Sequence, residues 1–213
     1  MDPISLSVSA VLGAVIVPAW YFSKREKQKR RLRNARRWSL ATLPDDTFGK
    51  VVGAARVLEE SLIAPISGRP CVFYLVVVTA DDRSDGSALL REAVGVPFVI
   101  EDDTGRAEVD PRDSDVVLVQ DRFRISGPND PRSAGEDALL QRHGKTQPSK
   151  TYWYRESIIE PGELIAIFGA GVREPDPDAP PAAEYRGPPA MRLRMSSARS
   201  FKLLISDDPK LTG

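Results

Sequence analysis

Uncharged, mostly apolar residues fill the first part of the chain and give way abruptly to basic ones. The run from Ile4 to Phe22 holds nineteen residues without a charge, and at about 1.5 Å per residue it nearly spans a hydrocarbon core of about 30 Å. Asp2 and Pro3 suit the N-cap and the first turn of a helix. The pattern therefore predicts one transmembrane helix, within residues 1–23.

Nine basic residues and one acidic residue follow in residues 24–37 and give that stretch a charge of +8. Basic flanks of a membrane span stay in the cytoplasm, and aromatic residues near its end lie at the headgroup level. We therefore expect the N-terminus outside the cell, residues 24–44 as a basic juxtamembrane segment, and the following domain on the cytoplasmic side of the inner membrane. The residues expected at the interface with anionic headgroups are Trp20, Tyr21, Lys24, Arg25, Lys27, Lys29, Arg30 and Arg31.

Two other interpretations of the apolar run are less favourable. A cleaved signal peptide carries positive charge before its apolar run and a small-x-small site after it. Here only Met1, Asp2 and Pro3 precede the run, and the positive charge follows it. A buried core helix has an apolar stripe along one side, whereas this run lacks charge all round.

From Asp45 onward, short stretches rich in β-branched and aromatic residues alternate with Gly, Pro and Asp turns, which predicts strands. The predicted strands are residues 51–59, 71–79, 97–101, 106–109, 115–120, 152–159, 163–169, 191–195 and 201–205. Residues 87–93 and 135–143 are expected as helix or loop, and the proline-rich residues 174–189 as an exposed loop. So many short strands predict a mainly β fold, an antiparallel OB-like β-barrel domain over residues 45–213.

Turn residues connect several of these strands. The loop from Asp102 to Gly105 predicts a hairpin between residues 97–101 and 106–109, with Gly105 in the left-handed conformation. Pro161 and Gly162 occupy the central positions of a type II turn, across which residues 152–159 and 163–169 are expected to meet. In residues 191–195 apolar side chains alternate with Arg192 and Arg194, and in residues 201–205 Phe201, Leu203 and Ile205 alternate with Lys202 and Leu204. This period is typical of a sheet with one wet face.

Three segments carry a resemblance to a known family. They read APISGRPC at residues 64–71, PFVIEDDTG at residues 97–105, and ESIIEPGE at residues 156–163 before the strand that ends at Gly169. Over roughly residues 49–206 the chain resembles the GIDE domain, also called BAM for "beside a membrane", found in mitochondrial ubiquitin ligases of the MULAN type and in bacterial relatives. The positions that match are Pro65, Gly68, Pro70, Cys71, Pro97, Phe98, Asp102, Asp103, Gly105, Glu156, Pro161, Gly162 and Gly169.

The resemblance implies a membrane-anchored domain and, at the level of the family, E3 ubiquitin transferase activity. The eukaryotic ligases also carry a second span and a RING finger whose zinc is held by Cys and His side chains. This sequence holds one Cys and one His. We therefore expect a bacterial form without the RING finger, and we expect no ligase activity from these residues.

Composition and the absence of certain motifs exclude further classes of protein. A single cysteine and a single histidine cannot supply a disulfide framework or a zinc knuckle. Residues 38–213 hold 21 basic and 28 acidic residues, a charge of −7, which is unsuited to a phosphate backbone, so no nucleic-acid partner is expected. The sequence contains neither a P-loop nor a G-x-S-x-G serine motif.

Clusters that resemble functional sites have simpler structural interpretations. The glycines of residues 169–171 are better explained by a strand end or a β-bulge than by dinucleotide binding. Asp110, Asp113 and Asp115 lack the spacing of a calcium loop and are expected in a solvated turn. The adjacent carboxylates of residues 101–103 are expected to point apart.

The two residues with nucleophilic or basic side chains have similar interpretations. Cys71 opens an apolar strand and is expected as a small buried hydrophobe, and His143 is expected in an exposed loop. We therefore assign no catalytic, cofactor-binding or metal-ligating residue and expect no cofactor.

Two function hypotheses follow from these features. The first is a noncatalytic membrane-anchored scaffold whose loops, at residues 80–92 and 127–150, bind an unidentified protein or ligand. The alternative is an enzyme or ligase subunit that acts through residues the sequence pattern does not expose. A pocket with converging polar groups would favour the second.

Overall fold

The computed structural model describes residues 24–80, 87–178, 190–198 and 200–213, and these form a mainly β fold. The strands are β1 (Gly49–Val57), β2 (Leu62–Ile63), β3 (Pro70–Cys71), β4 (Phe73–Ala80), β5 (Leu90–Gly95), β6 (Phe98–Asp102), β7 (Gly105–Asp110), β8 (Asp115–Val116), β9 (Arg122–Ser126), β10 (Tyr152–Ile159), β11 (Leu164–Gly169), β12 (Gly171–Pro175), β13 (Met191–Ser196) and β14 (Leu204–Ser206). The helices are α1 (residues 24–34), α2 (Ala134–Arg142) and α3 (Pro209–Thr212).

No helix in these residue ranges is both long and apolar enough to cross a membrane. The predicted span, within residues 1–23, lies outside the described residues, as do Trp20 and Tyr21. Residues 179–189 of the predicted proline-rich loop also lie outside them.

Eight strands form the larger sheet, in the order β12-β13-β7-β6-β1-β11-β14-β8. Its pairs are antiparallel except for β13 with β7 and β14 with β8, which are parallel. The prediction of a wholly antiparallel domain is wrong at these two pairs. Within the described part of the chain the outermost strands, β12 and β8, do not pair with each other, so no closed barrel is found.

Alternate residues of five strands in this sheet build the main hydrophobic core. Successive side chains of a strand point to opposite faces, so residues two apart share a face. The buried pairs are Val51 and Ala55 of β1, Phe98 and Ile100 of β6, Ala107 and Val109 of β7, Ile165 and Ile167 of β11, and Leu193 and Met195 of β13. One face of the larger sheet therefore surrounds a single cluster.

A smaller sheet, in the order β5-β4-β10-β9, packs against α2. Leu139 and Leu140 of the helix lie in one buried cluster with Tyr152 and Tyr154 of β10. Ser133 begins the helix with a capping box, because its side chain accepts from the Glu136 N–H while the Glu136 side chain accepts from the Ser133 N–H. Of the two states expected for residues 135–143, helix or loop, the structure has the helix, which ends at Arg142.

The predicted hairpin of residues 97–109 is confirmed as the antiparallel pair β6 and β7, with Asp102 opposite Gly105. Gly105 does not have a positive φ, so the left-handed prediction is wrong. The physical reason is the Asp102 carboxylate, which accepts from the N–H groups of Thr104 and Gly105 and closes the loop with ordinary backbone angles.

The turn at Pro161 and Gly162 is confirmed, because Gly162 has a φ of 94° and the N–H of Glu163 donates to the carbonyl of Glu160 at 3.1 Å. The two strands that it joins do not meet as predicted. β10 pairs with β4 and β9 in the smaller sheet, whereas β11 pairs with β1 and β14 in the larger one. The turn therefore connects the two sheets.

Several strand limits differ from the prediction. Residues 90–93, expected in a helix or loop, belong to β5, which pairs along β4 and lies at an edge of its sheet. β8 and β14 are shorter than predicted, and β9 and β12 were not predicted. The wet face expected of residues 191–195 is only partly correct, because Arg192 is buried between Glu108 and Glu174 while Met191 is exposed.

Candidate functional site

Helix α1 lies across the larger sheet, roughly perpendicular to its strands. Lys50, Phe168, Leu204 and Asp115 are register partners and form one row across β1, β11, β14 and β8. Four strands span about 14 Å, and the eleven residues 24–34 span about 16 Å as a helix. The helix is thus long enough to run the length of this row.

Contacts along the row fix the direction of α1. At one end, Lys24 Nζ lies 3.2 Å from Asp115 Oδ1. Further along, the Arg31 guanidinium lies 4.5 Å from the centroid of the Phe168 ring. Just beyond the helix, the N–H of Lys50 donates to the carbonyl of Arg36 at 2.9 Å.

Residues on the sheet-facing side of α1 hold it to the body. Arg25 Nη2 donates to the carbonyl oxygen of Leu118 at 2.7 Å, and Lys29 Nζ lies 3.4 Å from Asp208 Oδ2. Leu32 is fully buried in a cluster that includes Leu211 of α3. A basic segment has therefore become a docked helix, through one apolar side chain and several polar contacts.

The opposite side of α1 is exposed. At about 100° per residue, Lys27 and Arg30 lie nearly opposite Leu32 and Arg33 lies about a quarter turn from it, and all three are exposed. In the described part of the chain no hydrogen bond or ion pair is found for their side chains. Of the predicted interface residues, the structure thus engages Lys24, Arg25, Lys29 and Arg31 with the body, and leaves Lys27 and Arg30 outward.

A lysine near this helix is buried rather than exposed. Lys50 Nζ donates to the carbonyl of Leu211 in α3 at 3.2 Å. Burial lowers the pKa of Lys50, and the neighbouring positive charge of Arg37 lowers it further. The contact ties the first strand to the C-terminal helix below α1.

The residues that carry the family resemblance around Pro65 and Gly68 form a supported loop. Glu156 on β10 is fully buried, and its carboxylate accepts from the N–H groups of Ile66 at 2.8 Å and Ser67 at 3.0 Å. Gly68 has a φ of 71°, which a residue with a side chain rarely adopts. These residues therefore shape a loop rather than present a reactive group.

Two residues that neighbour the matching positions support the same loop. The Arg69 guanidinium pairs with both oxygens of the Glu160 carboxylate, directly before Pro161 and Gly162. The guanidinium holds the pKa of Glu160 below its usual range. The loop of residues 64–69 and the turn between the sheets are thus joined by an ion pair.

The remaining resemblance positions are dispersed. Phe98 and Cys71 are fully buried, in different hydrophobic clusters, while Pro70 pairs with Ile63. Gly169 ends β11 where a side chain would collide with Leu203. Pro97 lines a separate cleft.

The acidic residues 101–103 point apart, as predicted. Glu101 pairs with Arg56, and Asp103 is exposed. Asp102 Oδ2 accepts from the N–H of Leu40 at 2.9 Å. Although burial opposes it, hydrogen bonds from Thr104, Leu40 and Gly105 keep the pKa of Asp102 low.

Cys71 and His143 have the environments expected from the sequence. Burial raises the pKa of the Cys71 thiol to about 12, so the thiol is a poor nucleophile. His143 is exposed at the C-cap of α2. Its Nε2 lies 2.7 Å from Glu92 Oε2.

Sequence patterns did not reveal the cluster around Glu92. The carboxylate of this β5 residue also accepts from Tyr74 Oη at 2.8 Å and from Arg142 Nη2 at 2.7 Å. Burial opposes ionisation of Glu92, but these hydrogen bonds and the one with His143 lower its pKa overall. The cluster joins the end of α2 to the smaller sheet. Only a prediction that residues 90–95 form a strand could have indicated that Glu92 lies in it.

A cavity of about 660 Å³ is lined by Gln28 and Arg31 of α1 and by Ser197, Ala198, Ser200, Phe201 and Lys202. Its charged lining is mixed and consists of Arg31, Lys202, Asp113 and Asp115. Asp115 is already paired with Lys24. The described residues include no group of three or more His, Cys, Asp or Glu side chains arranged for a metal ion.

Comparisons with known proteins add no assignment: no family model, no curated protein and no solved structure matches the chain. The candidate site is therefore defined by geometry alone. It is the docked helix α1, with one side bound to the β-rich body and a basic side facing outward.

Proposed function

We propose that the chain is a membrane-anchored, noncatalytic interaction module that holds its β-rich body at the cytoplasmic face of the inner membrane. The observation that carries the proposal is the position of α1. Lys24 of this helix lies two residues after the uncharged run of Ile4 to Phe22, and contacts of Lys24, Lys29 and Leu32 bind the helix to the β-rich body. An anchor in that run would therefore hold the body close to the bilayer.

We also propose that the body is a barrel-like domain of the GIDE type. Two features support this fold. β11 and β12 are separated only by Ala170, although they lie five positions apart in the order of the larger sheet. The sheet must curl for one chain segment to join them, and the single core cluster from five strands agrees with a curled sheet.

The charged contacts of α1 favour a scaffold over an enzyme. Four basic side chains of this segment contact the body, so the helix orients the domain rather than linking it loosely. The loop regions of residues 80–92 and 127–150, of which residues 81–86 lie outside the described part of the chain, would then contact a protein partner in the cytoplasm.

Labelling of single cysteines in the full chain tests this arrangement. Cys71 is fully buried and provides a low background. With a membrane-impermeant maleimide, we expect Glu59→Cys, at an exposed position after β1, to react in inverted vesicles only. We expect Asp2→Cys to react in right-side-out vesicles only.

Two results would overturn the proposal. Labelling of Glu59→Cys from the outer face of right-side-out vesicles would show the opposite topology. Extraction of the chain from vesicles by alkaline carbonate would show that it has no membrane span.

A further inference from the structure

The basic residues of α1 divide into two sets by the face of the helix on which they lie. Those on the sheet side have partners in the body: Asp115 for Lys24, the Leu118 carbonyl for Arg25, Asp208 for Lys29 and the Phe168 ring for Arg31. The outward stripe, defined as Lys27, Arg30 and Arg33, has none among the described residues. The contacts between α1 and the body thus explain the basic residues on the sheet side, but they do not explain those of the outward stripe.

The outward stripe carries an unbalanced positive charge. Its members are three residues apart, so neighbours lie close on the helix surface and repel one another. The one acid on this side of α1 is Glu26, four residues before Arg30, and it leaves a net excess of two positive charges. A negative surface opposite the stripe would relieve the repulsion and neutralise the excess.

The chain places such a surface nearby. The outward stripe begins five residues after Phe22, the last residue of the uncharged run, and ends eleven residues after it. Its three side chains span about 9 Å along the helix axis, at 1.5 Å per residue. Anionic headgroups lie at the end of a membrane span, and polybasic segments beside a span are attracted to them.

We propose that α1 lies flat on an anionic phospholipid surface, with Lys27, Arg30 and Arg33 on the lipid phosphates and the larger sheet directly above the helix. The inference rests on the membrane anchoring proposed above. It goes beyond anchoring because it fixes the orientation of the body: the row from Lys50 to Asp115 runs parallel to the bilayer. A helix of about 10 Å diameter then separates the sheet from the headgroups.

The experiment uses the full chain reconstituted in vesicles of phosphatidylcholine, with or without phosphatidylglycerol. An environment-sensitive dye is attached to Asn34→Cys, an exposed position on the outward side of α1, and is quenched by lipids with a spin label on the headgroup. We expect stronger quenching in the anionic vesicles than in the neutral ones, and we expect added salt to remove the difference because salt screens exposed charges.

Matched variants assign the effect to the outward stripe. The triple variant Lys27→Gln, Arg30→Gln, Arg33→Gln should reduce quenching in anionic vesicles to the neutral-vesicle level. The control triple variant Arg122→Gln, Lys145→Gln, Arg155→Gln removes the same charge from exposed positions away from α1 and should leave quenching unchanged. Both should unfold thermally at the temperature of the unsubstituted chain, because none of the six side chains has a hydrogen-bond or ion-pair partner among the described residues.

The outcomes separate this inference from the proposed function. If the chain floats with both kinds of vesicle but quenching does not depend on phosphatidylglycerol, the anchor stands and the flat orientation of α1 is wrong. If the chain floats with neither, both proposals fail. If a single-stranded oligonucleotide abolishes the quenching, the outward stripe binds nucleic acid and the lipid assignment is overturned.

Discussion

The buried carboxylate of Glu156 accepts a hydrogen bond from the backbone N–H of Ile66, at 2.8 Å, across 90 residues of sequence. A second bond, from the next N–H, satisfies the other carboxylate oxygen. Buried loops are rare because their backbone groups need partners. One acidic side chain on β10 thus makes it possible for the loop of residues 64–69 to lie against the smaller sheet.

Replacement of Glu156 by alanine should therefore destabilise the fold. Two N–H groups of a half-buried loop would lose a charged acceptor, and a buried cavity would remain at Glu156. We expect a loss of about 3 kcal/mol in the free energy of unfolding. Urea denaturation of the detergent-solubilised chain measures it. The neighbouring Arg155→Ala removes an exposed side chain from the same strand and should cost less than about 0.5 kcal/mol. Equal losses for the two variants would contradict a supporting role for Glu156.

Glycine substitutions should separate a packing requirement from a turn requirement. A Cβ at Gly135, at the start of α2, would collide with the carbonyl oxygen of Pro65, whereas a Cβ at Gly105 would meet its nearest atoms at 3.9 Å. We expect Gly135→Ala to cost about 1–3 kcal/mol, as overpacking does, and Gly105→Ala to be tolerated. Thermal unfolding of both variants provides the comparison. A large loss at Gly105 would contradict the negative φ found there.

The sequence was informative where local chemistry decides structure. The turn at Gly162 and the hairpin across residues 102–105 depend on residues within a few positions of each other. Apolar alternation likewise located most central strands. The partner of each strand was harder to predict, because the turn at Gly162 joins strands of different sheets and turn chemistry does not specify a sheet.

The candidate site was predicted in part. Charge composition identified residues 24–37 as a distinct basic segment, but it could not divide Lys27 and Arg30 from Lys24 and Lys29. That division depends on Asp115 and Asp208, which are distant in sequence and meet α1 only after the sheet has formed. The cluster around Glu92 was missed for a similar reason, since it joins an edge strand to a helix end.

Release of α1 from the sheet should follow from one substitution. Leu32 is fully buried beneath the helix, so Leu32→Ala should cost about 2–5 kcal/mol in the contact between α1 and the body. We expect α1 to open more often, and trypsin to cleave after its basic residues more rapidly than in the unsubstituted chain. Asn34→Ala changes an exposed residue of the same helix and serves as the control. Unchanged cleavage in Leu32→Ala would show that the polar contacts hold the helix by themselves.

Asp207 should make the fold less stable as pH rises. Burial, together with the nearby charges of Glu163 and Asp121, raises its pKa to about 7, although the Val119 N–H donates to its carboxylate and acts in the opposite direction. In the unfolded chain an Asp titrates near pH 4. Between about pH 4 and pH 7 the folded state therefore binds more protons than the unfolded state, and the contribution of Asp207 to stability is lost across that window.

Asp207→Asn should remove this dependence, because an amide does not ionise while its Oδ1 can still accept from Val119. We expect the variant to match the unsubstituted chain near pH 4 and to exceed it increasingly up to pH 8, by at most about 4 kcal/mol, the equivalent of a pKa difference of about three. Urea denaturation from pH 4 to pH 8 measures the difference between the two curves, and Asp103→Asn, at an exposed position, controls for loss of an acidic residue. A constant difference across that pH range would mean that Asp207 is already ionised in the folded protein at pH 4.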